Sequence, residues 1–340
     1  MKQQKQRREL LFAAAFLVVT ALLIHLAATV LRPPHNDYGS TWSAYHQEPK
    51  NTIDVLYLGS SYAYCDINPS IIYQHTGLTG YVMGGSEQTF ALTYWYLQEA
   101  LKTQTPQAVV IEATGLFFKP YQDYTQVNVG YMPFGINKLK AIFSSGTEPE
   151  LRMGLFFDLY FYHDRWKELA AGDVIQALRP AKRDYLKGHT AVDLVLENVG
   201  AAPTVQDRDI APQVYAQNLA DLGRVLALCK ARGIPAVLTI NPTYTQCTPE
   251  TYARAMADVE ALDGDVRFFN WSNSFEAIGL SPQEHLYDGW HLNQDGAAIF
   301  SAWLGRFLKQ ELALVPMAQS VENTVAWVDS LRYWEETLHK

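Results

Sequence analysis

Apolar and polar positions along this chain fall into three regimes. The first is a single apolar run from Leu10 to Leu31, interrupted only by Thr20, His25 and Thr29 and preceded by Lys2, Lys5, Arg7 and Arg8. At ~1.5 Å per residue, a helix of that length crosses the ~30 Å hydrocarbon core of a bilayer. The run is longer than the apolar region of a cleaved signal peptide, and it ends in Leu31-Arg32-Pro33-Pro34. The pattern therefore predicts a transmembrane signal anchor over residues 10–31. The basic flank places residues 1–9 in the cytoplasm and the globular remainder outside the cell, at the cell membrane. Residues 32–51 are polar with prolines and aromatics, and read as a linker.

In the second regime, short runs that are apolar on every position alternate with segments of helical spacing. Ile53–Leu58, Tyr81–Met83, Ala108–Ile111, Ile234–Ile240 and Val266–Asn270 read as strands. Residues 87–102, 214–232, 249–262 and 294–312 read as helices. Strands lacking a polar face are covered on both sides, and helices between them make the sheet parallel. This predicts an α/β domain over residues 52–312: a three-layer sandwich around a parallel five-stranded sheet. The third regime, residues 117–212, breaks the alternation and is crowded with aromatics from Phe117 and Phe118 to Tyr160, Phe161, Tyr162 and Trp166. It reads as an insertion at the rim of the sheet, either a helical subdomain with an aromatic core or a lid or sugar-binding wall. Residues 313–340 carry one more helix.

Composition narrows the function classes. The 340 residues are 48% hydrophobic, enough for a large core, and the net charge of -8 with no basic stripe gives no footprint for nucleic acid. The three cysteines, Cys65, Cys229 and Cys247, do not form a disulfide scaffold. No CxxC or HExxH spacing occurs, so no metal and no cofactor is expected.

Chemistry-bearing residues gather at the carboxyl ends of the predicted strands, where open parallel sheets place their sites. Gly59-Ser60-Ser61 ends the first strand, and Gly84 follows the second. Glu112 follows the third and Asn241 the fourth. Asp288-Gly289-Trp290-His291 follows the fifth, just before a helix. A serine in a tight turn with an Asp and a His three residues apart is an acyl-transfer set: the hydroxyl attacks, the imidazole takes its proton, and the carboxylate orients the imidazole.

On these residues the chain resembles the SGNH/GDSL hydrolase superfamily, a flavodoxin-like α/β fold. It is most similar to the membrane-anchored cell-surface branch that includes DltD-like and alginate-acetylation-like proteins. Val55-Leu56-Tyr57-Leu58-Gly59-Ser60-Ser61 resembles the first block, with Ser60 in place of the usual Asp. Residues 81–88 resemble the second block, and Asp288-Gly289-Trp290-His291-Leu292-Asn293 the last. The resemblance implies Ser61 as nucleophile, His291 as base, Asp288 as its orienter, and the Ser61 and Gly84 N–H groups as oxyanion donors. The third block departs from the family: Glu112-Ala113-Thr114-Gly115 stands where an oxyanion-binding Asn belongs. Either another group donates there, or the hole rests on the two N–H groups.

The expected function is an extracytoplasmic serine esterase or O-acyltransferase. It would act on acyl, above all acetyl, esters of a cell-surface polysaccharide or wall polymer, beside a membrane-bound acyltransferase. Glu112, Asn241, His163 and Trp290 are candidate substrate-binding residues. A second reading is a non-catalytic membrane-tethered scaffold that binds a surface polymer or a polymer-modifying membrane protein.

Overall fold

The computed structural model describes residues 2–31, 42–145, 148–156, 159–178, 183–200, 202–208 and 210–338. The chain forms two units. One unit, labelled the anchor unit for the expected role of its N-terminal helix, comprises Met1–Asn36 and Glu148–Ala181, and a sheet unit comprises Asp37–Thr147 and Lys182–Lys340.

The sheet unit is built on five parallel strands: β1 (Val55–Gly59), β2 (Gly80–Gly84), β3 (Ala108–Glu112), β5 (Ala236–Ile240) and β7 (Arg267–Asn270). Their spatial order is β2-β1-β3-β5-β7. Two short strands, β4 (Thr204–Val205) and β6 (Thr245–Gln246), pair with each other outside this sheet. Every residue of β1, β2 and β3 is buried, which is why their sequences carry no polar alternation. On one face, Val55, Tyr57, Val82, Val110 and Val237 pack against Phe300, Leu304 and Leu308 of the helix Gln294–Glu311. That helix also packs on Ser61–Asp66 and Pro69–Thr76. The helices Phe90–Ala100 and Pro212–Ala231 pack on each other as a further pair that buries Leu92, Leu97, Leu222 and Val225.

The register places the site. Gly59 lies opposite Gly84 on β2, and Leu58 opposite Ile111 on β3. The ends of β2, β1 and β3 therefore meet around the Gly59-Ser60-Ser61 turn.

The expected parallel five-stranded α/β architecture is present. Three features depart from the sequence reading. Residues 32–41 of the expected linker lie outside the described residues, but the rest of it joins the sheet unit: Trp42–Tyr45 is a helical turn with Trp42, Ala44 and Tyr45 buried. The segment after Ser61 is a helix, not a loop, and a second follows at Pro69–Thr76. The aromatic insertion is not one body, because residues 148–181 group with the N-terminal helix while its flanks belong to the sheet unit.

In the anchor unit, the helix Lys2–Leu31 is long and apolar enough to cross a membrane, a property that a signal sequence shares.

Candidate active site

The backbone turns sharply between β1 and the helix Ser61–Asp66, and glycines make the turn fit. Gly59 has φ +153°, and a Cβ there would stand 2.8 Å from the Glu112 Cβ. A Cβ on Gly84 would stand 2.9 Å from the Gly59 carbonyl oxygen. Side chains are excluded at both positions because three backbones converge there. Ser60 caps the helix with extended backbone, and Ser61 is its first residue, half-buried.

The second part of the site is a loop closed by an antiparallel bridge between Leu286 and Leu292. The Asp288 carboxylate accepts hydrogen bonds from the backbone N–H of Trp290 (2.7 Å) and of His291 (2.8 Å), an Asx turn that fixes the loop. Downstream, Asn293 caps the helix Gln294–Glu311 by accepting from the Gly296 N–H at 2.9 Å.

The two parts meet. His291 Nε2 lies 2.8 Å from Ser61 Oγ, and His291 Nδ1 lies 2.9 Å from Asp288 Oδ2. The carboxylate beside Nδ1 assigns the proton to that nitrogen and leaves Nε2 to accept from the serine hydroxyl. The Tyr287 hydroxyl also lies 3.1 Å from Nδ1, and its ring stacks on the imidazole at 6°. The His291 side chain is 13% exposed and that of Asp288 36%, so the pair is held yet reachable. Burial raises the Asp288 pKa. The hydrogen bond and charge of His291, with the two backbone N–H groups, outweigh it and hold the carboxyl below its ordinary value. Cys65 is no rival nucleophile, because burial, then the neighbouring Asp66, push its thiol well up.

Asp66 joins the two parts. It ends the helix that starts at Ser61, and it is fully buried. Its Oδ1 accepts from the Leu292 N–H at 3.0 Å, next to His291, and its Oδ2 accepts from Asn241 Nδ2 at 3.2 Å. Asn241 Nδ2 also donates to the Tyr62 carbonyl at 2.9 Å. Asn241 therefore supports the serine helix from beneath and does not face a substrate. Glu112 is also turned inward: its Oε1 accepts from the Thr114 N–H (2.9 Å) and hydroxyl. Burial raises its pKa to about 7 against the lowering by Thr114. Gly84 lies beside the turn, opposite Gly59. Trp290 is half-buried next to His291, whereas His163 belongs to the anchor unit, exposed, with Nδ1 2.9 Å from the Tyr160 carbonyl.

Two contributors escaped the sequence reading. Arg208, in a coil segment without a motif, stacks its guanidinium 4.7 Å from the Trp290 ring centroid and 5.1 Å from that of Phe118. Its Nη2 donates to the Tyr62 hydroxyl at 2.8 Å. It thus contacts the sequence neighbours of both Ser61 and His291. Asn128 donates to the Ser86 carbonyl at 2.9 Å and steadies the loop after Gly84. Only its position after an aromatic cluster marks it in the sequence.

Among the described residues, no group of three or more His, Cys, Asp or Glu could hold a metal ion. No known family and no curated protein matches the chain. Among solved structures, the chain is similar to one described as a "putative acylhydrolase" from Bacteroides fragilis NCTC 9343, at 13% identity and a TM-score of 0.39, over 80% of this chain and 99% of the other.

Proposed function

We propose that the protein is an SGNH-type serine esterase or O-acyltransferase, held at the cell surface by residues 10–31 and acting on acyl esters of a surface polysaccharide or wall polymer. The observation that carries this reading is the continuous Ser61–His291–Asp288 hydrogen-bond chain, with the imidazole 2.8 Å from the hydroxyl.

In this mechanism Ser61 Oγ attacks the ester carbonyl as its proton passes to His291 Nε2. Asp288 stabilises the imidazolium and keeps it in register. The tetrahedral intermediate collapses, and the departing alcohol takes the proton back from Nε2. The acyl group is left on Ser61. Water, or an acceptor hydroxyl, then attacks that ester with His291 again as base, and Ser61 is regenerated. The carbonyl oxygen's developing charge faces the Ser61 N–H at the start of its helix, with Gly84 shaping the hole. Arg208 supplies positive charge in the neighbourhood where the third family block lacks its Asn.

The reading is tested by turnover of p-nitrophenyl acetate. Ser61→Ala and His291→Ala should each abolish it, and the double variant should be scarcely worse than either single one, because the residues act as one unit. Turnover by Ser61→Ala at the wild-type rate would reject the enzyme in favour of a non-catalytic scaffold.

A further inference from the structure

The anchor unit presents a surface that none of the catalytic chemistry uses. Its long helix is exposed from Leu10 to Leu26, apart from a half-buried Thr20, but Ala27 to Leu31 are partly covered. The cover comes from Leu159–Tyr162, His163–Lys167 and Ala171–Leu178, which pack against that helix. Arg165 makes the polar contact. Its Nη1 donates to the carbonyls of Val30 (3.4 Å) and Leu31 (3.2 Å), and its Nη2 donates to Asp173 at 2.8 Å. The last carbonyls of any helix lack partners within it, and a cation there is favourable.

Arg165 therefore fixes the depth of its neighbours. Trp166 is 64% exposed, and the Lys167 ammonium lies 6.0 Å from its ring centroid. Met153, Val174 and Ile175 are also exposed, at 56%, 37% and 53%. Tryptophan beside lysine and arginine, with exposed aliphatic side chains on short helices at the end of a span, is the composition of a membrane–water interface.

We propose that residues 149–156 and 159–178 form a collar lying in the outer headgroup region of the bilayer, with Met153, Trp166, Val174 and Ile175 entering the lipid. The collar would set the tilt and depth of the anchor. This rests on reading residues 10–31 as a retained membrane span. The occupant assigned to the apolar surface is phospholipid, because the covering elements pack on the helix directly after its exposed apolar stretch Leu10–Leu26.

The test uses the full-length chain in nanodiscs of phosphatidylcholine and phosphatidylglycerol. The native cysteines are buried and free, so an added exposed cysteine can be labelled with an environment-sensitive dye. Four variants are compared: Ile175→Cys and Val174→Cys on the collar, Leu17→Cys within the span, and Glu260→Cys, which is exposed on the sheet unit. Lipids carrying a nitroxide near the headgroup should quench the Ile175 and Val174 labels by roughly twofold or more, as expected for side chains in the interface. Nitroxides at the chain end should act best on the Leu17 label, and neither should affect the Glu260 label. A quenched Leu17 label with unquenched collar labels would overturn the collar while leaving the anchor intact. Collar labels that are blue-shifted but unquenched, in a concentration-dependent manner, would show a second protein copy on this surface and would also overturn it. An unquenched Leu17 label would remove the anchor itself, and the proposal with it.

Discussion

The two parts of the candidate site are held by different forces. The nucleophile turn, residues 55–66, is almost wholly buried and is positioned by close backbone approach: a strand between two strands, two glycines that exclude side chains, and a helix pressed against Gln294–Glu311. The base loop, residues 286–292, is half-exposed and is positioned by hydrogen bonds: the Asp288 turn, the Asp66 link to Leu292, and the Thr245 N–H donating to the Gly289 carbonyl at 2.8 Å. Packing tolerates no added volume, whereas hydrogen bonds tolerate volume but not a lost partner. The two sides should therefore fail in different ways.

The largest effect should come from adding one methyl on the packed side. Gly59→Ala places a Cβ against Glu112 at a φ that side chains avoid, and should destabilise the fold by ~2–4 kcal/mol. Denaturant titration reads it. A loss under about 1 kcal/mol would mean that the turn relaxes easily and that packing does not fix Ser61.

Next in size is the link between the two sides. Asp66→Ala leaves the buried Leu292 N–H without its acceptor, at ~1–3 kcal/mol, while the Asn241 amide keeps the Tyr62 carbonyl. Because Leu292 adjoins His291, kcat should fall by more than KM changes. An unchanged kcat in the folded variant would show that the base loop holds its geometry without Asp66.

A pH effect should follow from Glu112. Burial favours its neutral form and lifts its pKa from 4.5 to about 7. The folded state therefore keeps a proton that the unfolded chain releases, so stability falls as pH rises from about 4.5 to about 7 and is flat above. The loss should be on the order of 3 kcal/mol, one pKa unit being about 1.4 kcal/mol. Glu112→Gln should flatten this slope and be at least as stable as wild type at pH 8. An identical pH slope in both proteins would assign the effect to other groups.

The smallest effect on stability, and a selective one on rate, should come from Arg208→Ala. The side chain is partly exposed, so unfolding should shift by less than about 1 kcal/mol. Turnover of acetyl esters should drop by roughly tenfold or more if its charge supports the oxyanion. An unchanged rate would leave the Ser61 N–H and the Gly84 region to bear that charge without it.

The two sides also differed in how readable they were. β1, β2 and β3 could be located within a few residues because burial on both faces writes an unbroken apolar run. Ser61, Asp288 and His291 could be named because their order and spacing carry chemistry. Side-chain direction at a strand end could not be read: Glu112 and Asn241 stand at the rim in sequence, yet both turn inward, Glu112 to Thr114 and Asn241 to the serine helix. The Asp66–Leu292 and Arg208–Tyr62 contacts span long sequence separations and obey no local period. The helix Ser61–Asp66 is too short and too evenly buried to show a helical stripe. The split of the aromatic insertion follows from tertiary packing onto the N-terminal helix, which its aromatic density does not encode.

The central claim is that Ser61, activated by His291, is a nucleophile that becomes acylated. The most direct measurement is intact-protein mass spectrometry after exposure to a fluorophosphonate, followed by peptide mapping. One adduct per chain is expected, located on Ser61, absent in Ser61→Ala and strongly slowed in His291→Ala, while both variants unfold like wild type. A wild-type protein that stays unlabelled, or an adduct that persists in Ser61→Ala, would contradict it.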